Sequence, residues 1–497
     1  MMNDKGKSDR FVVPGKSPNK VGQSAADAME GRDLTKGNAD QQNVCRTQRR
    51  ESTPSELDRV REVARKDRSA KFTALFHHLT PERLRAAFML LKKNASPGID
   101  GVTWLQYEAA LEENLLGLHE RLHRGAYRAK PSRRVSIPKP DGRQRPLGIA
   151  SLEDKIVQRA VVEVLNAIYE VDFLGFSYGF RPGRSQHDAL DALNAGIYFK
   201  KVNYVLDADI RGFFDAIDHG WMMKFVEHRI ADKRILRLIQ KWLTAGVLED
   251  GEVKRGLVGT PQGATISPLL ANIYLHYVID LWIEQWRKRH ASGEVIVVRY
   301  ADDAIVGFQK EADAKRFLEE LRGRLRCFSL ELHPEKTRLI MFGLFAAQRR
   351  AERGEGKPET FKFLGFTHVC GKTKAGKFLL IRRTAPDRFR ATLKALKTAM
   401  MGRRHLPIPA QGKWLGSVMR GYFSYYAVPT NSHAMQSFRT QVERHWRHAL
   451  SRRSQRDRTS WARIRRLSLR WLPKPRILHP WPIDRFQART RGRSRVR

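Results

Sequence analysis

Two adjacent carboxylates, Asp302 and Asp303, interrupt an apolar, β-branched run that extends from Val295 to Phe308. Such runs favour strands, so this segment predicts a hairpin of two strands with the aspartates at its tip. Adjacent carboxylates repel each other and lose hydration between apolar strands, and a divalent cation is the simplest compensation. For an isolated Asp-Asp pair a polar surface turn is the more common interpretation, so the prediction of a metal site depends on the rest of the chain.

A two-metal site for phosphoryl transfer needs a further carboxylate on a neighbouring strand, with the metals about 4 Å apart. The segment from Asn203 to Asp215 offers one, because an apolar strand there ends at Asp207 and Asp209. Between the acidic segments, residues 259–272 read as a Gly/Pro loop followed by the start of a helix. The glycines of such a loop allow the backbone to approach a flat ligand closely.

In this order, the three segments resemble the palm motifs of reverse transcriptases, and in detail those of group II intron-encoded proteins. The residues that carry the resemblance are Tyr-Ala-Asp-Asp at 300–303, Asp-Ile-Arg-Gly-Phe-Phe-Asp at 209–215, and Thr-Pro-Gln-Gly at 260–263 leading to Ser-Pro-Leu-Leu-Ala-Asn at 267–272. The resemblance implies an α+β right-hand polymerase. Fingers and palm are expected at 53–370, a helical thumb or maturase X domain at 371–450, and a basic, DNA-binding-like tail at 451–497.

The resemblance also implies roles for the acidic residues. Asp209, Asp302 and Asp303 are expected to hold two Mg²⁺ ions, with Asp209 and Asp302 as the main ligands. Asp207 is the residue most easily confused with Asp209. Asp215 and Asp218 follow the strand and are interpreted as turn and capping residues.

Three further residues are expected around the incoming nucleotide. Phe214 would stack under the sugar and exclude a 2′-hydroxyl, although a core role is the alternative, as expected for its neighbour Phe213. Gln262 belongs to the loop near the template and nucleotide. Lys336 corresponds to a lysine near the leaving pyrophosphate and is a candidate general acid, with a plain surface lysine as the alternative.

A basic hairpin is predicted within residues 128–149. Apolar residues alternate at Val135 and Ile137, a Pro-Asp-Gly turn follows, and apolar residues return towards Ile149. In reverse transcriptases the matching fingers hairpin covers the incoming triphosphate. By that resemblance the candidates for phosphate contact, which would neutralise charge on the leaving pyrophosphate, are Arg133, Lys139 and Arg145. A solvated basic hairpin is the alternative.

Two other segments resemble nucleic-acid contacts of the family. The run Tyr-Gly-Phe-Arg-Pro-Gly-Arg-Ser at 178–185 places Arg181 and Arg184 as candidates for the template backbone, with His187 interpreted as structural. The run Phe-Lys-Phe-Leu-Gly-Phe at 361–366 resembles the primer-grip hairpin. There Gly365 would allow close approach to the primer strand.

The net charge indicates a polyanionic partner. Among 497 residues, 93 Lys and Arg face 52 Asp and Glu, a formal charge of +41 that is spread over the whole length. Residues 441–497 contain 18 Lys and Arg against 3 Asp and Glu. There the candidates for DNA contact are Arg463, Arg465 and Arg466, unless their helix packs on the thumb and leaves them solvated. Tyr422 and Tyr426, in the preceding aromatic helix, are expected to be mostly core.

The remaining features concern location and domain content. There is no 18-residue apolar run and no apolar signal core, and the three isolated cysteines predict neither a zinc site nor a disulfide framework. These features favour the cytoplasm and no membrane partner. Residues 1–52 are rich in small polar residues and predict a disordered tail. No His/Asn cluster or pair of cysteines follows the thumb, so the family's optional nuclease domain is expected to be absent.

The predicted function is an RNA-directed DNA polymerase that is also a maturase. Its expected partners are the group II intron RNA from which it is translated, target DNA and deoxynucleoside triphosphates. Two alternatives remain. One is another bacterial reverse transcriptase, of the retron, diversity-generating or phage-defence type, and the other is a maturase that assists splicing without polymerising.

Overall fold

The computed structural model describes residues 56–138, 144–249, 252–254, 256, 258–259, 263–454 and 459–491. The disordered tail predicted at 1–52 lies outside these ranges. The N-terminal elements are α1 (Glu56–Lys66), a 3-10 turn (Phe76–His78), α2 (Pro81–Met89), α3 (Trp104–Glu108), α4 (Leu111–His123), β1 (Ser132–Pro138) and β2 (Gln144–Ile149).

The central part of the chain alternates helices with strands. Its elements are α5 (Leu152–Asp172), α6 (Gln186–Phe199), β3 (Tyr204–Asp209), α7 (Phe213–Ala216), α8 (His219–Glu227), α9 (Lys233–Thr244), β4 (Val247–Glu249), β5 (Glu252–Lys254), α10 (Ser267–Leu275), a π-helical turn (His276–Asp280), α11 (Leu281–Arg289), β6 (Val295–Tyr300), β7 (Asp303–Phe308), α12 (Glu311–Arg326), β8 (Arg338–Met341) and α13 (Ala346–Glu352).

The C-terminal part begins with a small sheet and continues with helices. Its elements are β9 (Phe361–Phe363), β10 (Phe366–Lys372), β11 (Phe378–Thr384), α14 (Pro386–Gly402), α15 (Ile408–Tyr426), α16 (Ser432–Ser451), α17 (Trp461–Trp471) and α18 (Pro482–Arg491). The boundary predicted between residues 370 and 371 falls inside β10. None of the described helices is long and apolar enough to cross a membrane.

The central sheet has the strand order β6-β7-β3-β8, and every neighbouring pair is antiparallel. Its strands β3, β6 and β7 are largely apolar and mostly buried, with β-branched residues concentrated in β6, and α6 and α12 pack against the sheet. Burial on this scale is what stabilises an apolar sheet, because each side chain removed from water contributes about 1.5–3 kcal/mol. The sheet is therefore a rigid support for the residues at the ends of its strands.

The predicted basic hairpin is confirmed, and it belongs to a larger sheet. Strands β1 and β2 pair antiparallel, from Arg133 opposite Ile149 to Pro138 opposite Gln144. Strand β4 then adds to β1 in parallel, and β5 completes the order β2-β1-β4-β5. The hairpin turn, residues 139–143, lies outside the described ranges, and so does Lys139.

The C-terminal helices do not extend away as a free tail. Helix α17 packs on α15 and α16, and α18 returns to α6 beside the central sheet. Arg485 of α18 and Arg382 of β11 both pair with the buried Asp191 of α6. The prediction that Tyr422 and Tyr426 belong to the core is confirmed, since both are buried. The described part of the predicted basic tail is therefore folded against the preceding helices and α6.

Candidate active site

The acidic residues converge at one end of the central sheet because of its strand register. In the antiparallel pair of β3 and β7, Asp209 lies directly opposite Asp303. In the pair of β6 and β7, Tyr300 lies opposite Asp303, and Ala301 with Asp302 forms the turn. This confirms the predicted hairpin with the aspartates at its tip. Asp207, two residues before Asp209, lies on the same face of the sheet and pairs in register with Ile305 and Arg338.

The electrostatics of this end favour a cation. The Asp303 side chain is reachable by solvent but closely enclosed by protein, and this enclosure raises its pKa to about 7, with Asp302, Asp209 and Asp207 adding to the effect by repulsion. Burial also raises the pKa of Asp207 to about 6, against the opposing effect of Arg338. The carboxylates are therefore costly to ionise together unless positive charge is supplied.

Lys336 supplies part of that charge. Its Nζ donates a hydrogen bond to Oδ2 of Asp209 over 2.7 Å. The loop that carries it is fastened to the end of β3, because the backbone N–H of His333 donates to the carbonyl of Asp209 over 2.7 Å. Lys336 therefore lies beside one of the candidate metal ligands, while its expected place near the leaving pyrophosphate and its role as an acid stay predictions.

The donor chemistry fits Mg²⁺, although the side chains do not converge into a finished metal site. Within the described residues, no group of three His, Cys, Asp or Glu side chains is close enough to hold a metal. The backbone nevertheless presents Asp209, Asp302 and Asp303 at adjoining positions of two paired strands and their turn. An all-carboxylate set is the kind that Mg²⁺ prefers. Side-chain rotation and release of Lys336 from Asp209 are what binding would require.

The segment after β3 places two phenylalanines differently. Gly212, with φ of 53°, allows the sharp turn into α7. Phe213 is 2% exposed, which confirms its predicted core role, while Phe214 is half-buried and packs edge-on against it, with ring centroids 5.3 Å apart. Phe214 therefore has a surface free to meet a ligand, as a sugar-contacting residue would need. Asp218 caps α8 through a 2.8 Å bond from Trp221 N, in agreement with its predicted role.

The Gly/Pro loop bridges the catalytic end and the basic hairpin. At its start, Gly259 N donates to Ile217 O over 2.8 Å, just after α7. At its end, Gly263 has φ of 103°, and a Cβ there would lie 2.7 Å from Cδ1 of Leu147 on β2. The glycine thus permits close approach to the hairpin strand, whereas the sequence suggested close approach to a ligand. Gln262 lies outside the described residues.

Gln158 has a structural role near the site that the sequence reasoning did not predict. From α5 its side-chain carbonyl accepts from the backbone N–H groups of Thr265 and Ile266, at 2.9 and 3.4 Å. It therefore anchors the Gly/Pro loop where the loop enters α10. Nothing in the periodicity of α5 distinguishes this glutamine from a solvated one.

The structure describes only some of the side chains that were predicted to contact phosphate from the basic hairpin. Arg133 is half-buried and donates from Nη2 to the carbonyl of Pro97 over 3.0 Å. The position of Arg145 on β2 is described, opposite Ile137, but its side chain is not. The phosphate contacts expected of Arg133, Lys139 and Arg145 therefore stay predictions.

The interpretation of Arg181 as a template contact needs correction. Its side chain is buried and forms an ion pair with Glu170 at 3.0 Å, and Nη1 donates to the carbonyls of Leu174 and Ser177 at 2.8 Å. A guanidinium so saturated within the interior has no access to a template, so we assign Arg181 a structural role. Arg184 is half-buried and also donates to the Ser177 carbonyl, at 3.2 Å, which ties it to the same loop.

Arg299 is a second residue beside the candidate site that the sequence reasoning overlooked. It is 1% exposed, and its guanidinium donates to both carboxylate oxygens of Asp280, to Asn272 and to Ser177. It also donates from Nη1 to the carbonyl of Ala301 over 2.9 Å, inside the turn of Ala301 and Asp302, the candidate catalytic turn. Ala301 has φ of 55°, a strained value that needs such support. A charged residue within an otherwise apolar strand was the available signal, because a buried charge must be paired.

Gly365, expected to lie close to the primer strand, belongs to the hairpin turn between β9 and β10. Leu364 and Gly365, with φ of 47° and 77°, form the two-residue turn between β9 and β10, which has the positive φ values of a type I′ hairpin. The Leu364 carbonyl accepts from the Tyr425 hydroxyl over 2.7 Å, and that of Gly365 accepts from Ala385 N over 3.0 Å. The predicted hairpin is confirmed, and its contact with a primer stays a prediction.

The basic helix α17 presents its charges to solvent. Ile464 and Ser468 are buried against the neighbouring helices, whereas the exposed positions include Arg463, Arg465 and Arg466. The helix therefore packs on the thumb-like bundle, as one alternative held, and still leaves three guanidinium groups accessible. Whether they bind DNA stays a prediction.

Comparison with known proteins identifies the family. The family described as reverse transcriptase (RNA-dependent DNA polymerase) matches residues 137–368, which include Asp209, Asp302 and Asp303. Protein YkfC of Escherichia coli strain K12 is 35% identical over 335 residues, covering 58% of this chain and 87% of that protein. The chain belongs to the reverse transcriptase family. The fingers and palm expected from the motifs are therefore confirmed at the level of the family.

Other relatives of this reverse transcriptase are proteins of introns. The group II intron-encoded protein LtrA of Lactococcus lactis subsp. cremoris is 36% identical over 303 residues, 58% of this chain and 50% of that protein. The uncharacterized 91 kDa protein in the cob intron of Schizosaccharomyces pombe is 46% identical over 158 residues, 32% of this chain and 19% of that protein. The chain thus spans about half the length of LtrA. The predicted likeness to group II intron-encoded proteins is confirmed.

Proposed function

We propose that this reverse transcriptase extends a primer on an RNA template with deoxynucleotides, and that it also acts as a maturase for a group II intron RNA. The observation that carries the polymerase part is the register that sets Asp209 opposite Asp303, with Asp302 in the adjoining turn. The likeness to LtrA, named as a group II intron-encoded protein, supports the intron RNA as the partner. The same proposal includes the copying of that intron RNA into DNA for insertion at a target site.

The chemistry is a nucleotidyl transfer. The primer 3′-oxygen forms a bond to the α-phosphorus of the incoming nucleotide, the bond from that phosphorus to the bridging oxygen breaks, and pyrophosphate leaves. Asp209, Asp302 and Asp303 would hold two Mg²⁺ ions, which when bound activate the 3′-hydroxyl and stabilise charge on the phosphate oxygens. Lys336, already at Asp209, is placed to neutralise or protonate the leaving pyrophosphate. Phe214 excludes a 2′-hydroxyl beneath the sugar.

Primer extension tests the polymerase part. The substrate is a fluorescein-labelled DNA primer annealed to an RNA template, with deoxynucleotides and Mg²⁺. Asp209→Asn and Asp302→Asn should each abolish extension, because a charged ligand is lost while its strand keeps its pairing. Glu331→Gln is the matched control, since Glu331 is an exposed carboxylate beside the same end of β3 and pairs with the exposed Arg211. Wild-type extension by Asp302→Asn would refute the site.

Splicing separates the candidate functions. A transcript of the coding region with its flanking sequence, tested at low Mg²⁺, should splice faster with the parent protein and equally fast with Asp302→Asn. RNA binding rests on the distributed basic surface and does not need the carboxylates. Splicing without primer extension by the parent would make the chain a splicing-only maturase. Extension with no effect on splicing would point to a reverse transcriptase of another type.

A further inference from the structure

The segment Phe176–Arg181 forms a strap along the edge of the central sheet. Arg299 N donates to the Phe176 carbonyl over 2.9 Å, and Tyr178 N donates to the Arg299 carbonyl over 2.8 Å. This parallel bridge brings Gly179 against the catalytic turn so closely that an added Cβ would lie 2.3 Å from Ala301 N. The strap therefore ends directly beside the turn that carries Asp302.

Phe180 lies at this point in a backbone conformation that the packing of its own side chain does not explain. Its φ is 57°, a left-handed value that bulky residues rarely adopt and that costs about 1–3 kcal/mol. The residue is nevertheless 41% exposed, so its own burial does little to offset that cost. The ring lies 6.3 Å from that of Tyr300, at an interplanar angle of 47°.

Hydrogen bonds and an ion pair fix both chain neighbours of Phe180, and they thereby fix the strained backbone of Phe180 itself. The Gly179 carbonyl accepts from Nδ2 of Asn272 over 2.7 Å. On the other side, the buried Arg181 is locked by Glu170 and by backbone carbonyls. The fold thus uses interior contacts to present an aromatic ring to solvent next to the catalytic turn.

We propose that Phe180 contacts the primer–template duplex, with its ring against the sugar and base of a strand held over the catalytic turn. An exposed aromatic ring suits nucleotides whatever their sequence, because it can pack on a sugar and stack on any base whose face is not covered by the next base pair. Tyr300, its aromatic neighbour, already lies opposite Asp303. The inference deepens the proposed function and rests on it, since it places a duplex at the polymerase site.

The test uses Phe180→Gly in the full-length protein, because glycine adopts a φ of 57° without strain. The dissociation constant of a fluorescein-labelled DNA primer on an RNA template is measured by anisotropy at several salt concentrations, together with the thermal midpoint. We expect the dissociation constant to rise about tenfold, because the variant has no ring to pack against the sugar and base at the catalytic turn. The slope against salt should not change, since no charge is removed. The midpoint should stay at or above that of the parent.

Two further variants are matched to this one. Phe180→Tyr keeps the ring and should bind like the parent. Phe345→Ala removes another exposed phenylalanine, 39% exposed, after β8, whose Met341 pairs with Tyr204 at the far end of β3 from Asp209. It should leave binding unchanged.

Two results would overturn the inference. Parental affinity in Phe180→Gly would show that the ring touches no duplex. A lowered thermal midpoint, with or without weaker binding, would make Phe180 a packing residue. Failure of the parent to extend primers would instead refute the proposed function, and the binding measurement is independent of extension.

Discussion

Nζ of Lys336 lies 2.7 Å from Oδ2 of Asp209, so a cation of the protein itself occupies one side of the expected metal ligand. Lys336 is half-exposed, and the pair can therefore separate when a stronger cation arrives. This relationship gives the lysine two separable effects, one on Mg²⁺ affinity and one on the leaving group.

Lys336→Gln should raise the apparent affinity for Mg²⁺ and lower the rate at saturating Mg²⁺. The Mg²⁺ concentration for half-maximal extension should fall, because Asp209 loses its competing cation. The rate at saturating Mg²⁺ should fall about 100-fold if Lys336 is the general acid. Single-nucleotide incorporation across a Mg²⁺ titration measures both. Lys336→Arg keeps the charge, so it should leave the Mg²⁺ titration unchanged and still slow the rate. A parental rate in both variants would show that Lys336 is a plain surface lysine.

Phe214→Val should open space beneath the sugar. We expect the ratio of kcat/KM for ribonucleotides over deoxynucleotides to rise about tenfold or more, because a steric barrier to the 2′-hydroxyl is removed. The measurement is steady-state incorporation of matched ribo- and deoxynucleotides. Phe213→Leu is the control, since Phe213 is a core neighbour and should affect stability but not the ratio. An unchanged ratio in Phe214→Val would assign Phe214 to the core alone.

Arg299→Lys should impair catalysis through the position of the turn. Lysine cannot reproduce the forked bonds to Asp280 and Ala301, so kcat should fall at least about tenfold while primer–template affinity stays near that of the parent. Stability should fall by about 3 kcal/mol, because a buried ion pair is disturbed.

Arg229→Lys provides the comparison for Arg299. Arg229 is another fully buried arginine, paired with Asp172 at 2.9 Å. The Arg229→Lys variant should lose a similar amount of unfolding free energy and keep the kcat of the parent. Ser177→Ala, which removes one bond to Arg299, should lower kcat by a few-fold with little unfolding. Equal kcat losses in the Arg229 and Arg299 variants would mean that general destabilisation, not the turn, is responsible.

Replacement of Arg463, Arg465 and Arg466 by alanine should weaken binding of duplex DNA. The slope of log K against log salt should fall by roughly one unit for each phosphate that the variant no longer binds. Extension on a pre-annealed primer at saturating template should change little. The control removes the same charge from exposed, acid-paired positions of α12, namely Lys315, Arg316 and Arg322. A parental slope in the α17 variant would exclude its arginines from the DNA-binding surface.

His368 should make stability depend on pH. It is fully buried on β10, stacks on Phe361, and neither ring nitrogen has a hydrogen-bond partner among the described residues. Burial lowers its pKa to about 3, with Arg382 adding to the effect. The unfolded chain therefore binds the proton first, so the stability contributed by neutral His368 is present above about pH 6.5 and is lost as pH falls towards 3.

His368→Phe should remove this dependence. Between pH 8 and pH 5 the parent should lose about 2 kcal/mol more unfolding free energy than the variant, since each pH unit below the unfolded pKa costs about 1.4 kcal/mol. Urea unfolding of both proteins at the two pH values measures the difference. Parallel losses would show that His368 is protonated or solvated in the fold.

Local patterns predicted the elements that carry the site. The β-branched runs on either side of Asp302 and Asp303 predicted the hairpin, and the alternation at Val135 and Ile137 predicted the basic one. Strands reveal themselves in this way because side-chain burial repeats along a short stretch of chain. The family likeness followed from motif order, which is also a property of the sequence alone.

Long-range pairing decided the rest. The sequence does not show that Asp209 faces Asp303, because register depends on which strands meet. In the sequence Arg181 and Arg299 are simply two basic residues. Only tertiary packing buries both of them, so that Arg181 supports the loop of Leu174 and Ser177 and Arg299 supports the catalytic turn. The return of α18 to α6 likewise rests on contacts between Asp191 and Arg485, almost 300 positions apart in the chain. Such contacts have no local periodicity, since they form only when distant elements fold together.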